Sequence, residues 1–193
     1  PVEELESILK TAAEYAQKIL DCKYFELADK SEIEDLINGV LSPKETIWGL
    51  FSANFYTNVR ADLYLSGGTS SLFLKADHDD TYMADKEGTD YRYEKWFKNY
   101  SAIEASGMRC IKVLDTYELN YATRSDARVK GVNMLRLPEL YYIITEYYLS
   151  IDNQTEAVKY FDKVLVSRGL TGYANRQGAT LTLEKVIQER RKE

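Results

Sequence analysis

The sequence is sparing with residues that build covalent or metal-centred sites. It has two cysteines, three prolines and one histidine in 193 residues. Cys22 and Cys110 lie far apart, fit no metal-ligand spacing and form no CxxC pair. They read as isolated thiols at the edge of the core, and a disulfide needs a fold that brings their Cα atoms within roughly 7 Å. The histidine, His78, sits in Asp77-His78-Asp79-Asp80, which lacks the alternating acid spacing and distal glutamate of a calcium loop and reads as a solvated acidic turn. There is no phosphate-binding glycine loop, no GxSxG elbow and no HExxH helix, so no catalytic motif stands out. No stretch approaches the roughly 18 apolar residues of a membrane-spanning helix. Positive charge is also short: 25 basic against 31 acidic side chains give a net charge of −6 and a pI near 5.1, which argues against a basic nucleic-acid binder. The first residues carry no basic and apolar signal sequence, and the chain begins and ends inside helical patterns, as a piece of a longer protein would.

What the chain does have is enough apolar content, 45%, to bury the core of one domain, and an excess of tyrosine: 16 Tyr against 6 Phe and 2 Trp. Leu5, Ile8, Ala12, Tyr15, Ala16 and Ile19 recur at helical steps and predict a helix over 3–21. Asp29 or Ser31 can cap a second short helix that passes Leu36 and Ile37 and stops at Gly39, giving a helical region over 3–40. The apolar run Thr46–Phe51 predicts a strand with Trp48 in the core. Residues 52–100 read as irregular, with a Gly67-Gly68 loop and a charged loop from Ala76 to Asp90. Residues 109–121 suit a β-hairpin, and 122–132 a polar loop, so 44–132 forms an irregular middle with β content. The last third, 137–193, returns to helices: Leu137–Ser150 with Pro138 in its first turn, a turn at Asp152-Asn153-Gln154, Thr155–Ser167 stopped by Gly169, and a final helix capped by Thr182.

An internal repeat sets residues 12–20 against 157–165, matching Ala12 with Ala157, Tyr15 with Tyr160, Lys18 with Lys163 and Leu20 with Leu165. Around the second copy, Tyr141, Ile144, Thr145 and Tyr148 on one helix, and Ala157, Phe161 and Val164 on the next, follow the tetratricopeptide pattern of small and aromatic residues. The fold class that follows is mainly α: tetratricopeptide-like helical hairpins, a small β-hairpin element and long irregular loops, in one domain over 1–193.

Several segments, in order, are similar to the SusD/RagB family of glycan-binding outer-membrane lipoproteins. Asn133–Tyr141 resembles that family's "iRLaEvyL" segment. Glu156–Val164 with Ser167-Arg168-Gly169-Leu170 resembles "eAl.yiNkVR.RaGl", and Leu181–Glu193 resembles "lT.eel..ERrkE". Upstream, Tyr15–Leu20 with Tyr24–Leu27 looks like "yAk.Vi.sgyyeL", Glu45–Trp48 like "nEiIf", and Asp90-Tyr91-Arg92 like "D.R". The chain lacks the family's N-terminal helices with the lipid-bearing cysteine, and it stops where members continue, so it reads as a middle-to-C-terminal part.

The resemblance implies non-catalytic binding of an oligosaccharide or polysaccharide at the surface of the outer membrane. It also implies hand-over to a SusC-like TonB-dependent transporter in a nutrient-uptake system of the Bacteroidetes type, with no cofactor. A sugar ring stacks on an exposed, rigid aromatic face while polar neighbours take its hydroxyls, which favours rings on loops. The ligand-binding candidates are therefore Trp96, Tyr56, Phe55 and Tyr64, with Asn54 and Arg60 as hydrogen-bonding partners, and Tyr82, Tyr91, Tyr93, Asn58, Asn99 and Tyr100 behind them. Tyr15, Tyr141, Tyr148 and Tyr160 fall at helix-packing positions. Arg136, Arg168, Glu189 and Arg190 match family positions and read as structural, tying helix ends together by ion pairs. A rival reading is a helical-repeat adaptor that takes a protein or peptide in its concave face.

Overall fold

The structure, a computed structural model, describes residues 2–31, 44–52, 89–101, 106–110 and 131–193. In chain order the elements are α1 (Val2–Asp21), β1 (Thr46–Phe51), α2 (Tyr91–Trp96), β2 (Phe97–Ser101), β3 (Ser106–Cys110), β4 (Gly131–Arg136), α3 (Leu137–Ser150), α4 (Gln154–Ser167), a 3₁₀ turn at Tyr173–Asn175, and α5 (Leu183–Arg190).

α3 is the centre of the helical layer, with α1 and α4 packed on it. Leu137, Leu140 and Ile144 bury against Ala13 and Ala16 of α1. Tyr142 buries with Ala157, Phe161, Val164 and Leu165 of α4, and Leu170, Leu181 and Val186 close the far side. The small Ala13, Ala16 and Ala157 let the helix axes approach, while each larger apolar side chain withdrawn from water contributes about 1.5–3 kcal/mol. Thr145 lies in this core at no polar cost, because its hydroxyl donates to the Tyr141 carbonyl at 2.8 Å. Tyr141, Tyr148 and Tyr160 form a ring cluster between α3 and α4, with Tyr148 stacked on Tyr160 at 5.7 Å. Tyr160 also donates to Gln17 of α1 at 2.8 Å, so it joins the two copies of the repeat. Tyr15, its counterpart in the repeat, departs from the packing expectation: it is 63% exposed, because α3 covers α1 along Ala13 and Ala16, one position around the helix.

The helix ends follow local chemistry. Asn153 caps α4 by accepting from the Glu156 N–H at 3.2 Å, and Thr182 caps α5 by accepting from the Lys185 N–H. Leu137 N–H at the start of α3 donates to the Glu45 carbonyl at 2.8 Å, which fastens that helix to the chain entering β1. Gly169 ends α4 with φ +86°, and a Cβ there would lie 2.4 Å from the Thr89 carbonyl oxygen, so both conformation and space require glycine.

β1 and β4 pair antiparallel, from Thr46 opposite Arg136 to Phe51 opposite Gly131, with irregularities on either side of Trp48. Side chains still alternate along β1: Ile47 packs on the helical core, and Trp48, expected in the core, takes the opposite face with Leu50 and is 55% exposed. The polar loop expected over 122–132 gives way at Gly131, where β4 begins. Of the hairpin expected over 109–121, Arg109 and Cys110 fall within the described residues: they lie in β3, which pairs with the preceding β2, Phe97 opposite Cys110 and Ser101 opposite Ser106. Residues 111–121 lie outside the described part. So does the second helix beyond Ser31; Lys30 and Ser31 are helical directly after Asp29, at its expected start. Cys22 is an exposed free thiol at the end of α1.

Candidate functional site

Five of the six leading ligand candidates, Asn54, Phe55, Tyr56, Arg60 and Tyr64, lie outside the described residues, as does His78. The sixth, Trp96, is placed differently from expectation. It closes α2, whose cap is Asp90, and it sits four residues after Arg92 on the same face of that single turn-and-a-half. That face points inward, so Trp96 is 1% exposed, with the Arg136 guanidinium 6.0 Å from its ring centre. An exposed stacking ring is ruled out at this position. Asp90, expected in a solvated loop, is likewise buried. The two tryptophans have exchanged roles: Trp48 is the exposed one.

The interior around Trp96 is a charge cluster drawn from five separate stretches of sequence. The Arg92 guanidinium is fully buried and forks onto Asp90, Nε to Oδ1 at 2.9 Å and Nη2 to Oδ2 at 2.7 Å. It also donates to Glu193 at 2.8 Å and to Glu189. Arg168, equally buried, donates through Nε and Nη2 to Glu193 at 2.9 and 3.1 Å, and its Nη2 pairs with Glu45 at 2.9 Å. Arg136 bridges Glu45 and Glu193. Glu45 further accepts from the Ala28 N–H at 2.7 Å. Lys192 pairs with Glu189 at 2.9 Å. The cluster is balanced: cations Arg92, Arg136, Arg168 and Lys192 against carboxylates Glu45, Asp90, Glu189 and Glu193. Burial alone would raise the Glu193 pKa, but Arg168, Arg92 and Arg136 outweigh it and hold this carboxyl well below the usual range. Burial would depress Arg92, and Glu189, Glu193 and Asp90 reverse that. Such groups stay ionised, so they anchor chain segments rather than exchange protons. The structural role expected for Arg136, Arg168 and Glu189 is the one the geometry supports. Arg190 forms a separate tie from α5 to α3, to Glu139 at 3.1 Å and Glu146 at 2.9 Å.

Two concave surfaces lie on the described part. One, of about 520 Å³, is bordered by Leu27, Asp29, Lys30, Ser31, Tyr91 and Ser167. There Lys30 lies 5.0 Å from the Tyr91 ring centre and pairs with Glu94 at 3.0 Å. The other, of about 420 Å³, is bordered by Gln154, Thr155, Val158, Tyr173, Arg176 and Thr180, with the Arg176 guanidinium 4.5 Å above the Tyr173 ring. Both combine one aromatic side chain with hydroxyls and charge, a lining suited to a polyhydroxyl ligand. Among the described residues no group of His, Cys, Asp or Glu could hold a metal ion.

The arrangement of helices and paired strands is shared with known structures. No protein-family model and no curated protein matches the chain, but solved structures do. A SusD-like carbohydrate binding protein from Bacteroides vulgatus shares 20% identity and a TM-score of 0.66 over 96% of this chain and 39% of its own. A SusD superfamily protein from Bacteroides thetaiotaomicron gives 17% and 0.69 over 97% and 43%. The surface glycan-binding protein A from Bacteroides uniformis gives 18% and 0.62 over 99% and 43%. The fold is therefore SusD-like, mainly α with tetratricopeptide-like packing. The chain spans about two fifths of the length of the structures it matches.

Proposed function

We propose that the chain is part of a non-catalytic glycan-binding protein that works at the cell surface. In this reading it takes up an oligosaccharide or polysaccharide and passes it to a SusC-like TonB-dependent transporter in the outer membrane. The observation that carries the reading is the fold: over nearly its whole length the chain matches proteins named for carbohydrate or glycan binding. The chemistry is in keeping with it. The described residues offer aromatic-lined concavities and an exposed, strand-held Trp48. The segment bearing Asn54, Phe55, Tyr56, Arg60 and Tyr64 leaves from Ser52, directly after β1, and these residues remain the proposed ligand contacts. A glycan array probed with the 193-residue chain, followed by calorimetry on any hit, tests it. Saturable binding that Tyr56→Ala or Trp48→Ala weakens, with unfolding midpoints unchanged, supports the proposal. Failure to bind any polysaccharide, together with capture of a defined peptide, would transfer the assignment to the adaptor reading.

A further inference from the structure

We draw no further inference here: the strongest candidate, the exposed apolar patch of Trp48, Leu50 and Met134 on the β1–β4 ribbon, carries nothing because nothing in the structure shows what covers it.

Discussion

Glu45 is the sharpest probe of the buried charge cluster. Its side chain is fully buried, takes the Arg168 guanidinium at 2.9 Å, contacts Arg136, and accepts from the Ala28 N–H at 2.7 Å. Glu45→Gln keeps the shape and one oxygen for Ala28, but it removes the charge and sets an amide N–H₂ against two guanidiniums. The buried cluster then holds four cations and three carboxylates. Removing one partner from a buried ion pair costs about 3–5 kcal/mol, because the remaining charge is left desolvated and uncompensated. At the usual 2–4 °C per kcal/mol for a chain of this size, that is a fall of about 10 °C in Tm. Urea unfolding followed by circular dichroism measures it. The partner variant Arg168→Gln should be comparably harmful, and the double variant should cost less than the sum by about 1–2 kcal/mol, since each single change strands the other's charge. A loss under about 1 kcal/mol for Glu45→Gln, or strict additivity, would refute the reasoning. The surface pair of Lys159 and Glu156 is the control: Lys159→Ala should leave the midpoint where it is.

Arg136→Ala removes a bridge between Glu45 and Glu193 and should lower Tm; loss of glycan binding at unchanged stability would instead make Arg136 a ligand contact. Because the arginines hold Glu193 below the usual carboxylate range, the stability it contributes is complete above its unfolded pKa of about 4.3 and is lost as pH falls through the lower folded value. The urea midpoint should therefore drop steeply in acid, and Glu193→Gln should flatten that limb while lowering the plateau. Glu139, raised by burial despite Arg190, works in the opposite direction and should soften the curve at its upper end. Gly169→Ala places a Cβ at a left-handed position against the Thr89 carbonyl and should cost about 3 kcal/mol, read from the same denaturation curves; a neutral result would mean the 89–91 segment is free to move away.

The helical third of the fold was legible because each signal is local. Pro138 in the first turn of α3, Asn153 and Thr182 at caps, and Gly169 at a left-handed terminus fix boundaries from a few neighbouring residues. Strand register was not legible in the same way. β1 finds its partner β4 far along the chain, and which face of β1 meets the helical core, Ile47 inward and Trp48 and Leu50 outward, depends on that distant pairing. Trp96 went astray for a related reason. Asp90-Tyr91-Arg92 carries a helix cap, Asp90 accepting from the Arg92 N–H at 3.0 Å, but the charges around it read as solvent-facing loop. The missing information was that Glu189 and Glu193, about a hundred residues away, return to pair with Arg92. The resemblance pointed to those positions without saying that they meet.

That meeting explains why the charge is buried at all. Buried ion pairs often add no more stability than apolar packing of the same volume, so we read the balanced cluster as a device for fixing which segments come together. Here it joins the entry to β1 at Glu45, the start of α2 at Asp90 and Arg92, the β4–α3 junction at Arg136, the end of α4 at Arg168 and the C-terminal Glu189 and Glu193. β1 ends at Phe51 and α2 begins at Tyr91, so the segment that carries Asn54, Phe55, Tyr56, Arg60 and Tyr64 starts and ends next to elements tied to the cluster. Apolar packing tolerates small shifts, whereas bidentate guanidinium–carboxylate pairs tolerate few, because geometry sets their strength. Fixed ends of this kind let a binding segment change its sequence without changing where it leaves and rejoins the scaffold. On that argument, substitutions among residues 54–64 should alter ligand affinity and leave Tm nearly constant, whereas substitutions in the cluster should move Tm first.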